Sequence, residues 1–97
     1  MDLNEVAVFV KVAQLGGFSA AARALALPVS TVSTRVARLE KRLGVTLLQR
    51  TTRRLRLTEA GAQYFRHAAA GLDHVAEAEA AVSVAAGEAK GRLRVTA

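Results

Sequence analysis

With 97 residues, 52% of them apolar, the chain is one small domain with enough material for a modest helical core, and self-association would help a unit of this size. It holds no cysteine, which excludes a disulfide framework and a Cys-based zinc site; its start, MDLNEV, is acidic where a secretory leader is basic, and no apolar run approaches the about 18 residues of a membrane span, so a cytoplasmic protein with no membrane partner is expected. The net charge of +6 is concentrated, because eight of the fourteen Lys and Arg residues fall between Arg35 and Arg56 against one acid, Glu40, and this is the footprint of a surface that neutralises phosphates.

In chain order, Leu3, Val6, Val10 and Ala13 recur at helical spacing with Phe9 beside them, and Asp2 and Glu5 sit where a helix N-terminus favours acids. Gly16-Gly17 stops this helix. Ser19 is the expected N-cap of a short Ala-rich second helix ending near Leu25, with Phe18 as a staple residue before it. Pro28 marks the next break. A third helix is predicted from about Val29 to Leu43, with Val32, Val36, Leu39 and Leu43 as its apolar stripe and Gly44 as its C-terminal stop. After Gly44 the period changes: Leu55 and Leu57 alternate with Arg54 and Arg56, which predicts a two-stranded hairpin with Arg53 at its tip. From Thr58, an expected N-cap, a proline-free segment rich in Ala and Glu predicts a helix to about Ala86, with Gly71 as its weak point and a length of roughly 40 Å. Beyond Gly87 the tail GRLRVTA reads as the start of a strand.

Placing the stripe of the third helix inward leaves Ser30, Thr34, Ala37 and Lys41 opposite it, with Thr31, Ser33 and Arg38 on the flanks. A major groove admits a helix whose outer side chains are small and polar, and hydroxyls near its start then reach phosphates or base edges. The bland alternative is a solvated polar face; the neighbouring Ala-rich helix and the cationic hairpin favour docking on DNA. On the long helix, Phe65, Ala68, Leu72, Val75, Val82 and Ala86 lie near a 3,4 repeat interrupted by Glu79, a stripe that outruns a three-helix head and asks for a partner helix. His67 and His74 are seven apart, wider than a helical metal pair prefers, so no metal or cofactor is expected. The acids are scattered and no nucleophile has a triad partner, so catalysis is the least favoured class.

The stretches FSAAARAL (Phe18 to Leu25), STVS (Ser30 to Ser33), RLEKRLGVTLLQR (Arg38 to Arg50) and Arg53 to Gly61, ending LTEAG, resemble the N-terminal domain of LysR-type transcriptional regulators. The resemblance runs over about residues 2 to 88. It implies an all-α winged helix-turn-helix, three helices plus a two-stranded wing, followed by a long dimerisation helix. It also implies sequence-specific binding to double-stranded operator DNA in the regulation of transcription. Residues 1–58 would form the DNA-binding domain, 59–88 the linker helix, and 89–97 the opening of an effector-binding domain whose missing remainder would take a small-molecule effector. Arg53 matches the wing arginine that the resemblance places in the minor groove, and Arg50 matches as well, while Arg54 and Arg56 on the strand's outer face would run along phosphates. The DNA-binding set is thus Ser30, Thr31, Ser33, Thr34, Arg38, Arg50, Arg53 and Arg54. The linker helix is implied to pair antiparallel with its twin through Phe65, Ala68, Leu72, Val75 and Val82, giving a homodimer whose two heads meet two half-sites.

The chain departs from the family pattern at three places, one of them a run of three residues. Pro28, Val29 and Ser30 stand where many members have Ser-Gln-Pro, Thr34 stands where Arg is frequent, and Leu48 where Phe is frequent. The changes on the third helix bear on base preference, and Leu48 on packing under the hairpin. The rival class is a winged-helix module for protein contact, which calls for an apolar or acidic patch where this sequence supplies hydroxyls and arginines.

Overall fold

The computed structural model describes the backbone of residues 1–50 and 54–95 and the side chains of 1–50 and 54–87. Among them run α1 (Leu3–Leu15), α2 (Phe18–Leu25), α3 (Val29–Leu43), β1 (Leu48–Arg50), β2 (Leu55–Leu57) and α4 (Glu59–Val95). Local chemistry sets most boundaries. The Asp2 side chain caps α1 by accepting the Asn4 N–H at 2.8 Å. Gly16 and Gly44 end α1 and α3 in the left-handed conformation, at φ 76° and 72°, where a side chain would be strained. Thr58 Oγ1 accepts the Gly61 N–H at 2.9 Å and so caps α4, as its position before the Ala-rich segment predicts.

Helix α1 lies at the centre of the head and touches α2, α3 and α4. Its Val6, Val8, Phe9, Val10 and Val12 are all buried, a wider apolar face than the stripe expected from Leu3, Val6, Val10 and Ala13; Leu3 itself is half-exposed. Ala21 and Ala22 of α2, Val32, Val36 and Leu39 of α3, and Leu47 and Leu48 entering the wing complete the core. Leu43, expected on the buried stripe of α3, is 37% exposed as the last residue of the helix, beside the Gly44 C-cap. The α4 helix docks through Phe65, Ala68 and Leu72, and the ring of Tyr64 meets Phe9 edge-on with centroids 5.6 Å apart.

Two other expectations are corrected. Helix α2 begins at Phe18, with extended Gly17 at the N-cap and no side-chain cap, so Ser19 lies inside the first turn and Phe18 is a helical residue. Among the described residues α4 runs through Gly87 to Val95, where a break and a strand are predicted, a length of about 55 Å at 1.5 Å per residue. A strand without a partner leaves its N–H and C=O groups unpaired, whereas a helix satisfies them internally, and each glycine in it costs only about 1 kcal/mol. The long helix accounts for the shape. The molecule measures 60 × 24 × 19 Å with a radius of gyration of 17.4 Å, against about 12.5 Å for a globular chain of this length.

Candidate nucleic-acid interface

Because Val32, Val36 and Leu39 are held inside, the opposite side of α3 is fixed outward. Ser30, Thr34, Ala37, Arg38 and Lys41 are exposed and Thr31, Ser33 and Arg35 half-exposed. Ser30, Thr31, Thr34, Arg35 and Arg38 line one shallow open depression. The sequence-predicted hydroxyls and Arg38 are therefore brought together on one face, with Val29 exposed at its leading edge. The α2–α3 turn that presents this face carries Ala26 in the left-handed region at φ 55°, with the Leu27 N–H bonded back to the Ala22 carbonyl at 3.0 Å.

The wing stands beside α3. Its strands pair antiparallel with Leu48 opposite Leu57, Gln49 opposite Arg56 and Arg50 opposite Leu55. Side chains alternate across a sheet, so Gln49 and Arg56 share the outer face, while Leu48, Leu55, Leu57 and Arg50 share the face turned to the head. Leu48 is buried there and the two β2 leucines are half-buried. Arg50 follows the same direction: its guanidinium carbon sits 4.3 Å above the Phe18 ring and its Nη2 donates to Ser33 Oγ at 3.1 Å. Ser33 accepts that bond and still has its own proton to donate. Arg54 and Arg56 are exposed beyond the head. Arg53, the expected wing-tip arginine, lies outside the described residues.

Two acids that charge counting leaves unassigned hold this surface in place. Glu40 Oε2 accepts the N–H of Leu47 at 2.7 Å and of Leu48 at 3.2 Å, fixing the root of the wing to α3. Thr58 closes the other side of that root, its hydroxyl donating to the Thr46 carbonyl at 2.6 Å and its N–H to the Leu47 carbonyl at 2.9 Å. Glu5 is buried on α1 and meets Arg42 of α3 at 3.4 Å, so Arg42 is turned towards an acid. The signal for Glu40 is visible in the sequence, as the lone acid in a basic run; the role of Glu5, 37 residues from its partner, has no local signature.

The expected dimerisation residues divide into two groups. Phe65, Ala68 and Leu72 are half-buried against their own head. Val75 and Val82 are exposed at 46% and 69% on the part of α4 that projects beyond it. His67 and His74 are exposed on α4, and His74 Nδ1 lies 3.6 Å from Glu77.

A family model described as bacterial regulatory helix-turn-helix protein, lysR family, matches residues 3–62. An HTH-type transcriptional regulator of Xanthomonas campestris pv. campestris (strain 8004) is 50% identical over 95 residues, covering 98% of this chain and 28% of that protein. The HTH-type transcriptional regulator CrgA of Neisseria meningitidis serogroup C (strain 8013) is 52% identical over 92 residues, covering 95% of this chain and 31% of CrgA. This chain thus spans less than a third of the length of these two relatives. Among solved structures, BenM_DBD in its complex with catB site 1 DNA superimposes with a TM-score of 0.84 at 28% identity, over 89% of this chain and 96% of that one. On the match to more than half of its residues and on these identities, the chain belongs to the LysR family of bacterial regulatory helix-turn-helix proteins.

Proposed function

We propose that this chain regulates transcription by binding double-stranded operator DNA, with α3 reading the major groove and the wing following the adjacent backbone and minor groove. The carrying observation is the continuous outer face of Ser30, Thr31, Thr34, Arg35 and Arg38 beside an arginine-bearing hairpin. Small hydroxyl side chains let the helix approach the base edges, and Arg38 would meet phosphates, as would Arg54, contacts that fix register without carrying sequence information. Arg53 would enter the minor groove, where negative potential is concentrated. The relatives' names as transcriptional regulators and the DNA complex of BenM_DBD support this reading.

The same reading makes the chain a homodimer through α4. Val75 and Val82 would bury against a second copy running antiparallel, and two heads held apart by paired helices suit an operator with approximate two-fold symmetry. Phe65, Ala68 and Leu72 would contribute mainly by setting the angle at which α4 leaves its head. Response to a small-molecule effector would belong to a C-terminal effector-binding domain, as the family resemblance implies.

Selection from a random duplex pool tests the proposal. The chain should enrich a motif with two related halves and bind it at least about a thousandfold more tightly than a shuffled duplex at physiological salt. Enrichment of no motif would contradict it.

A further inference from the structure

We propose that Arg50, Phe18 and Ser33 form a latch that fixes the wing against the recognition helix, so that Phe18 and Arg50 are positioning residues for DNA binding. The inference rests on the DNA-binding reading above. Three elements meet at one guanidinium: it is supplied by the last residue of β1, stacks on the first residue of α2 at 4.3 Å, and bonds to the second turn of α3 at 3.1 Å. The strand register explains why. Arg50 shares the inner face with Leu48, so the side chain is directed at the head while Gln49 and Arg56 point away.

A hairpin of three-residue strands is marginal by itself and takes its orientation from what it touches. Glu40 holds its root at Leu47 and Leu48, and Arg50 is the polar tether at the far end of β1. Strand β1 ends at Arg50, so this tether fixes the end of that strand against α2 and α3. A phosphate contact needs only a positive charge, which lysine supplies; a latch needs a planar group that stacks on a ring and donates sideways to a hydroxyl. That difference separates the two roles.

The test uses the 97-residue chain and its variants. Without DNA, the Arg50 side-chain protons should be shifted upfield by the Phe18 ring in NMR spectra, remain so in Phe18→Tyr, and lose the shift in Phe18→Leu. With a fluorescein-labelled duplex enriched by the parent from a random pool, Phe18→Leu and Arg50→Lys should each bind roughly two- to fivefold more weakly, the scale of a partly exposed cation–π contact. The double variant should bind no more weakly than the weaker single, because both remove one interaction. Phe18→Tyr should bind like the parent, and the salt dependence of Arg50→Lys should be unchanged because the charge is kept.

Absence of the ring-current shift, or parent-like binding by Arg50→Lys, would overturn the proposal. Should Phe18→Leu fail to fold, Phe18→Tyr and Arg50→Lys still decide it. A parent that enriches no duplex would end the DNA-binding reading and the positioning role with it, whereas a parent that binds and an Arg50→Lys variant that binds equally well would end the latch alone.

Discussion

The carboxylate of Glu40 accepts the backbone N–H of Leu47 at 2.7 Å, tying the end of α3 to the start of the wing through the one acid in a strongly basic segment. The same oxygen reaches the Leu48 N–H at 3.2 Å, and both leucines are buried. Neither amide has water as an easy substitute partner. Glu40→Ala should therefore lower stability by about 1 to 3 kcal/mol, read by thermal unfolding, and speed amide exchange at Leu47 and Leu48. The variant also separates geometry from charge. Removing an acid makes the surface more positive and on electrostatics alone would tighten DNA binding, but loss of the wing's anchor should weaken it. Tighter binding with an intact wing would contradict this role.

Gly61 and Gly71 occupy one helix and predict opposite outcomes. A Cβ at Gly61 would run into the Leu47 carbonyl, backbone that cannot swing aside, while a Cβ at Gly71 meets nothing within 4 Å. Gly61→Ala should cost more than about 2 kcal/mol by forcing α4 away from the wing root. Gly71→Ala should stabilise by up to about 1 kcal/mol, since alanine is the better helix former there. Chemical denaturation of the two variants beside the parent checks both signs, and similar effects would show that α4 does not press on Leu47.

The helical frame was legible because its punctuation is local. Gly16, Pro28, Gly44 and Thr58 act within one turn, and α3 spans the predicted Val29 to Leu43. Ser19 misled because a serine near a helix start is a strong capping signal, yet extended Gly17 begins the helix two residues earlier. The tail misled because alternation over GRLRV is too short to distinguish a strand from the end of an Ala-rich helix. In the interface, the outward hydroxyls of α3 followed from the apolar stripe alone. Arg50 did not: a strand arginine reads as solvent-facing until the pairing with Leu55 gives it the inner face, and its partners Phe18 and Ser33 lie 32 and 17 residues away. Leu72 fits both a head-packing and a pairing stripe, and only the position of α1 separates the two.

Pairing through α4 is best tested where the helix stands clear of its own head. Val82 is 69% exposed, so Val82→Glu should alter the melting of a single head by no more than about 0.5 kcal/mol, yet place a carboxylate in the seam between two copies. Sedimentation equilibrium should show a dimeric parent and a Val82→Glu variant shifted towards monomer, with affinity for a full operator falling more than affinity for a half-site. Leu72→Glu should reduce dimerisation and head stability together, because Leu72 is half-buried on the core. A Val82→Glu variant that dimerises like the parent would move the pairing surface elsewhere.

Thr34 is the most direct probe of base reading by the outer face of α3, because it is exposed, faces away from Val36 and Leu39, and lines the depression with Ser30 and Arg38. Selection from one random duplex pool, run in parallel with the parent and with Thr34→Ala, isolates its contribution. Both proteins should have stabilities within about 0.5 kcal/mol of each other and enrich related motifs, with the variant losing preference at one position of each half-site by about 1 to 3 kcal/mol. Identical motifs of identical strength from both proteins would contradict it.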